Sequence, residues 1–181
     1  MSDSYNVFIP NECIDPAFQV NVFTQNSLTF EYINQLIEFI NYQEDIDCDK
    51  RSYPNLLGKY SAIGITPSGN IISEQLDLNM YKLHVTLNAN DSAWLNTAGY
   101  RRTSDNYLVY AKHIYESNTI LFLGIISPNA HNLLFPRECM EHKKSSLLMK
   151  ECMNVVSEFQ NCDLSKLSSS GKYKNYRLVV P

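Results

Sequence analysis

The run Ile120-Leu121-Phe122-Leu123-Gly124-Ile125-Ile126 is apolar at every position except its glycine. Alternate residues of a strand point to opposite faces, so this segment needs cover on both and belongs in the middle of a sheet with layers on either side. Tyr107 to Tyr115 precedes it across the short polar connection Glu116-Ser117-Asn118, which reads as an antiparallel hairpin. Ser127-Pro128-Asn129-Ala130-His131 stops the run, because proline cannot donate to a strand ladder and asparagine favours a turn.

The rest of the chain supplies both periodicities. Tyr81, Leu83, Val85 and Leu87 alternate with Lys82, His84 and Thr86, so one face of this strand enters the core and the other carries polar groups. Phe30, Ile33, Ile37 and Ile40 form the stripe of an amphipathic helix, with Ser27 or Thr29 as candidate caps. A second helix is expected from about Ser145, with Leu148, Cys152, Val155 and Phe159 on one stripe. Val7 to Phe23 reads as short extended pieces broken by Pro10 and Pro16, and Pro54 and Gly58 bracket a turn. Pro67-Ser68-Gly69-Asn70 fits a hairpin-like excursion, Ser165 to Gly171 a serine-rich link, and Tyr173 to Val180 a last strand or arm.

With 181 residues, one domain with appendages is expected: a core over 1–160 with an insertion at about 61–79, and a basic extension over 161–181. No run approaches the ~18 apolar residues of a membrane span, and the first residues lack a signal-type pattern, so a cytoplasmic protein without membrane contact is expected. The five cysteines never form a C-x-x-C pair, and nothing completes a metal set around Cys139 and His142. The net charge of −4 argues against a protein that coats nucleic acid, but it divides unevenly. Residues 1–100 carry 4 basic against 12 acidic groups, and residues 101–181 carry 11 against 7.

No phosphate-cradling glycine loop, H-E-x-x-H, G-x-S-x-G or calcium-loop pattern is present, and no cofactor motif. What remains is a polar set at one end of the hairpin. Arg101-Arg102-Thr103-Ser104-Asp105 precedes its first strand, Tyr110 lies within that strand, and His131 follows the second. An antiparallel partner returns the chain toward the first strand's start, so Arg102 and His131 are expected at the same sheet end. An imidazole, guanidinium groups and a carboxylate gathered there can hold a phosphate and move a proton, with His84 joining from a neighbouring strand. Arg102 and Asp105 read equally well as a surface ion pair, His131 as a solvated or capping residue, and Tyr110 as core.

The order Arg102-Thr103-Ser104-Asp105, Leu108-Val109-Tyr110, an apolar strand, then Pro128-Asn129-Ala130-His131 resembles the YafO family of bacterial toxins from toxin–antitoxin systems. Leu83-His84-Val85-Thr86-Leu87 is similar to that family's histidine-bearing strand, and the likeness spans about residues 30 to 160. Thr86 stands where the family strand can carry a second histidine.

The resemblance implies a compact RelE-like α+β fold, an antiparallel sheet packed with helices. It also implies a ribosome-dependent endoribonuclease that cuts messenger RNA and inhibits translation, restrained by a cognate antitoxin. The chemistry expected is attack by a ribose 2′-OH on the adjacent phosphate, without metal or cofactor. His131 would serve as general acid or base with His84 or Asp105 as its complement. Arg102 would clamp the phosphate with help from Arg101, and Tyr110 would hydrogen-bond it or stack on a base. Lys143, Lys144 and Lys150, followed by Lys166, Lys172, Lys174 and Arg177, would give a local basic surface for ribosome and RNA. Two readings stand beside this one: a non-catalytic interaction protein, immunity or antitoxin-like, using the acidic stretch Glu44 to Asp49, and a small-molecule enzyme with a pocket among its aromatics.

Overall fold

A computed structural model describes residues 4–11, 27–43, 54–63, 78–141 and 145–179. Six strands form one sheet: β1 (Ser4–Pro10), β2 (Leu57–Ala62), β3 (Met80–Val85), β4 (Tyr107–Lys112), β5 (Thr119–Ile126) and β6 (Tyr173–Val179), in the spatial order β2-β3-β4-β5-β1-β6. The helices are α1 (Ser27–Gln43), α2 (Ser92–Leu95), α3 (Ala130–Leu134), α4 (Arg137–Glu141), α5 (Leu147–Asn161) and α6 (Leu164–Ser169). The fold is α+β, as expected, but the sheet is mixed rather than antiparallel throughout, because β1 runs parallel to β5. That pairing closes across 112 residues, Val7 opposite Ile120, and no local turn signal encodes it.

β5 is buried along its whole length, as its composition requires. On one face it meets a core built with α1, including Tyr32, Ile33, Leu36, Ile37 and Ile40. On the other it meets a core built with α5, including Met149, Cys152, Val156 and Phe159. The glycine within β5 has a structural reason: Gly124 sits at φ +136°, where the β4–β5 register shifts between Val109 and Tyr110. A bulge at this point needs a conformation that side chains disfavour.

Several local expectations change. α1 starts at Ser27, so Ser27 and Thr29 lie inside the helix instead of preceding it. β3 ends at Val85, so Leu87 falls beyond it and stands half exposed rather than entering the core. Leu164–Ser169 is a helix, not a link: the Asp163 carboxylate accepts the Ser165 amide (2.8 Å) and Leu167 is buried. Tyr173–Val179 is a sheet strand along β1, with Tyr176 opposite Val7. The acidic stretch Glu44 to Asp49, the Pro67-to-Asn70 excursion, and the extended pieces after Asn11 lie outside the described residues. Among the described residues, no helix is long and apolar enough to cross a membrane.

A candidate active site at one end of the sheet

Lys82 and His84 are two residues apart on β3 and share a face. In the β3–β4 register Lys82 lies opposite Val109 and His84 opposite Tyr107, which places all four on the α5 side of the sheet. The imidazole of His84 meets the Tyr107 ring edge-on, with centroids 4.7 Å apart. Tyr107 in turn lies opposite Ile126, the last residue of β5, and the chain turns there into α3. Asn129, at φ +69°, makes that turn in a left-handed conformation that asparagine tolerates. The turn carries His131 back over the sheet end, where its Nδ1 lies 3.3 Å from the Tyr107 hydroxyl. Phe135, just after α3, closes the group: the Lys82 ammonium sits 4.2 Å from the Tyr107 ring centre and 4.7 Å from that of Phe135.

The loop before β4 holds the arrangement in place. His84 Nδ1 lies 3.0 Å from the Ser104 amide nitrogen and 2.7 Å from the Ser104 carbonyl oxygen. With its proton on Nδ1 the ring donates to the Ser104 carbonyl and keeps a lone pair on Nε2; with its proton on Nε2 the ring accepts the Ser104 amide at Nδ1. Nδ1 is tied to the backbone in both tautomers, and the one that donates to the Ser104 carbonyl leaves Nε2 free to accept a proton. Ser104 Oγ donates to the Val85 carbonyl (2.7 Å), and the Asp105 carbonyl accepts the Ala130 amide (3.1 Å), so one loop braces both β3 and α3.

Burial and neighbouring charge tune these groups. Burial pushes the pKa of His84 below its ordinary value, with Lys82, Lys59 and His131 adding repulsion against a second positive charge and the Ser104 contact opposing them. Burial also lowers the Lys82 ammonium to about 8, helped by Lys59. The Tyr107 phenol is raised by burial and by the Asp105 carboxylate.

Of the candidates read from the sequence, His84, His131 and Asp105 come to this end. Tyr110 does not: it is fully buried in the α1-side core and stacks on Tyr81, ring centres 5.3 Å apart. It sits an odd number of positions from Tyr107 on one strand, and strand alternation therefore sends the two phenols to opposite faces. Arg102 has its guanidinium committed to the fold. Its Nε donates to the Thr97 carbonyl (2.9 Å) and its Nη1 to those of Pro54 (3.0 Å) and Leu57 (3.3 Å), with the guanidinium over the Trp94 ring. The side chain is only 7% exposed. Gly58 is glycine because a Cβ there would stand 2.6 Å from the Arg102 carbonyl oxygen.

Arg101 is exposed beside Tyr100, and Lys150 is exposed on α5. Lys143 and Lys144 lie outside the described residues, as does His142, the companion of Cys139. Lys174 and Arg177 lie on β6, separated from β3 by three strands, or about 19 Å at ~4.8 Å per strand spacing. Thr86, at the position of the missing histidine, spends its hydroxyl on the Asn88 backbone: it donates to the carbonyl and accepts from the amide, both at 3.1 Å. His113 is structural, its Nδ1 accepting the amides of Tyr115 (3.3 Å) and Glu116 (3.1 Å). Sequence reasoning missed Tyr107 and Lys82 as site residues. Their signal is parity with His84, which becomes usable only once the β3–β4 register is known.

Among the described residues no group of three or more His, Cys, Asp or Glu side chains could hold a metal ion. An imidazole of lowered pKa, a second imidazole bonded to a phenol, and a half-buried ammonium are suited to proton transfer beside an anion. Residues 40–161 match the family model for toxin YafO of type II toxin–antitoxin systems. No curated protein and no solved structure matches the chain.

Proposed function

The chain belongs to the YafO family of toxins from type II toxin–antitoxin systems, and we propose that it is a ribosome-dependent endoribonuclease that cuts messenger RNA in the cytoplasm and is held in check by a cognate antitoxin. The observation that supports this reading most is the convergence of His84, Tyr107 and His131 from three separate elements. Cleavage of RNA through its own 2′-OH needs a proton acceptor and a proton donor on either side of one phosphate. It needs no enzyme nucleophile.

In this mechanism the ribose 2′-oxygen attacks the adjacent phosphorus and the bond from phosphorus to the 5′-oxygen breaks. The products are a 2′,3′-cyclic phosphate and a 5′-hydroxyl. His84 takes the 2′-OH proton: its lowered pKa keeps it neutral near pH 7, and the Ser104 carbonyl, by accepting from Nδ1–H, leaves the Nε2 lone pair to receive it. His131 delivers a proton to the departing 5′-oxygen, oriented by its contact with the Tyr107 hydroxyl. Arg102 is a positioning residue, because its hydrogen bonds hold residues 54–57, and with them the start of β2, against the loop that carries Ser104.

The test is a reconstituted translation reaction in which the ends of the message are mapped. Parent protein is expected to leave cyclic phosphate and 5′-hydroxyl ends, and His84→Ala and His131→Ala variants to leave the message intact. Undiminished cutting by both variants would refute the reading.

A further inference from the structure

Among the described residues, no anion answers the positive charge of Lys82. Its ammonium is flanked by the rings of Tyr107 and Phe135, which attract a cation but accept no conventional hydrogen bond. Among the described residues no carboxylate pairs with it and no hydrogen bond uses its three N–H donors. Lys59, one strand over, repels it, and so does any proton gained by His84. An ammonium that is half buried, crowded by other cations and unpaired is costly to hold unless an anion completes it. The price in this case is visible as a pKa drawn down to about 8.

We infer that Lys82 is the phosphate-binding cation of this site, its N–H groups directed to the non-bridging oxygens of an RNA phosphodiester while the two rings flank its ammonium. The inference rests on the ribonuclease reading for the identity of the ligand and reassigns to Lys82 the clamp that the sequence pattern gives to Arg102. The same Tyr107 ring that flanks the Lys82 ammonium meets the His84 imidazole edge-on, and its hydroxyl contacts His131, so cation and imidazoles share one group of residues.

A short, fully 2′-O-methylated RNA has no 2′-OH to attack with and therefore reports binding alone. Its affinity is read from the imidazole resonances of His84 and His131 in NMR titrations, with inorganic phosphate as a minimal second probe. Lys82→Gln and Lys82→Met, which keep an unbranched side chain and remove the charge, are expected to weaken binding by about 10- to 100-fold, the worth of one charge-assisted contact. Lys82→Arg should recover most of it. Unchanged affinity in both neutral variants overturns the inference, as does parental cleavage of translated message by Lys82→Gln. Should the parent bind methylated RNA through Lys82 yet cut no message, the anion site stands and the ribonuclease reading fails.

Discussion

The hydroxyl of Tyr107, the first residue of β4, lies 3.3 Å from Nδ1 of His131 on α3. This contact joins the start of one strand to the helix that follows its neighbour, and it makes the position of His131 depend on the strand face that Tyr107 occupies. Tyr107→Phe removes the hydroxyl but keeps the ring against His84 and Lys82. It should lower the cleavage rate without lowering the melting temperature, whereas Tyr110→Phe, on the opposite face, should leave the rate unchanged. Single-turnover rates and thermal melts of the two variants check this.

His84→Ala and His131→Ala should each slow cleavage by about 10²- to 10⁴-fold, the usual worth of a positioned acid or base. The double variant should be little slower than the worse single one, since the two act as a unit. Rates measured on translated message decide it.

Arg102→Ala should act through stability. Removing the guanidinium takes its hydrogen bonds from the carbonyls of Pro54, Leu57 and Thr97, a loss of about 1–3 kcal/mol. That corresponds to a fall in melting temperature of roughly 2–4 °C per kcal/mol for a chain this size. Arg102→Lys should not rescue, because one ammonium cannot reproduce a fork that reaches the carbonyls of Thr97, Pro54, Asn55 and Leu57. Denaturant melts give the free energy, and an unchanged midpoint would return Arg102 to a ligand-facing role.

How much of this was legible in the chain follows from what is local. The apolar run of β5 and the polar connection before it carry the hairpin, the central strand and the meeting of Asp105 with the start of α3, since each depends on neighbours in sequence; β4 itself ends at Lys112, short of the expected Tyr115, so the connection runs over 113–118. Which face a side chain takes depends on pairing. Tyr107 and Tyr110 look alike as strand tyrosines, and only the opposition of His84 to Tyr107 in the β3–β4 register selects the first. Arg102 was read as a ligand-facing cation because its partners sit 45–48 residues away, at Pro54, Asn55 and Leu57. The basic tail is real as composition, yet β6 joins β1 at the edge far from β3, through a pairing that spans most of the chain.

The pH dependence of cleavage should be bell-shaped. On the acid side activity falls as His84 gains a proton; its depressed pKa places this limb below that of an ordinary histidine. The affinity for methylated RNA, which involves no proton delivery by His131, should fall on the alkaline side near pH 8 as Lys82 loses its charge. The groups facing this pair are Lys59 on β2, Tyr107 on β4 and His131 on α3. Lys82→Arg should move that fall in affinity to higher pH. For stability the sign is separate: the unfolded chain protonates its histidine at higher pH than the buried His84 does. The contribution of His84 is therefore complete above the unfolded value and is lost as pH falls through the folded one. Rate profiles and melts across pH test the two effects independently.

Association with ribosomes should weaken steeply with salt, as phosphate contacts require. The sensitivity should reside on the β2–β3 side. Lys59→Glu is expected to flatten the salt slope, while a Lys174→Glu, Arg177→Glu pair on β6 is expected to leave it nearly unchanged.

The most direct test is the single-turnover rate of message cleavage on translating ribosomes for the parent and for folded His84→Ala and His131→Ala proteins. The account predicts cyclic-phosphate ends from the parent and a loss of at least about 10²-fold in each variant. Equal rates in all three would mean that this end of the sheet is not where RNA is cut.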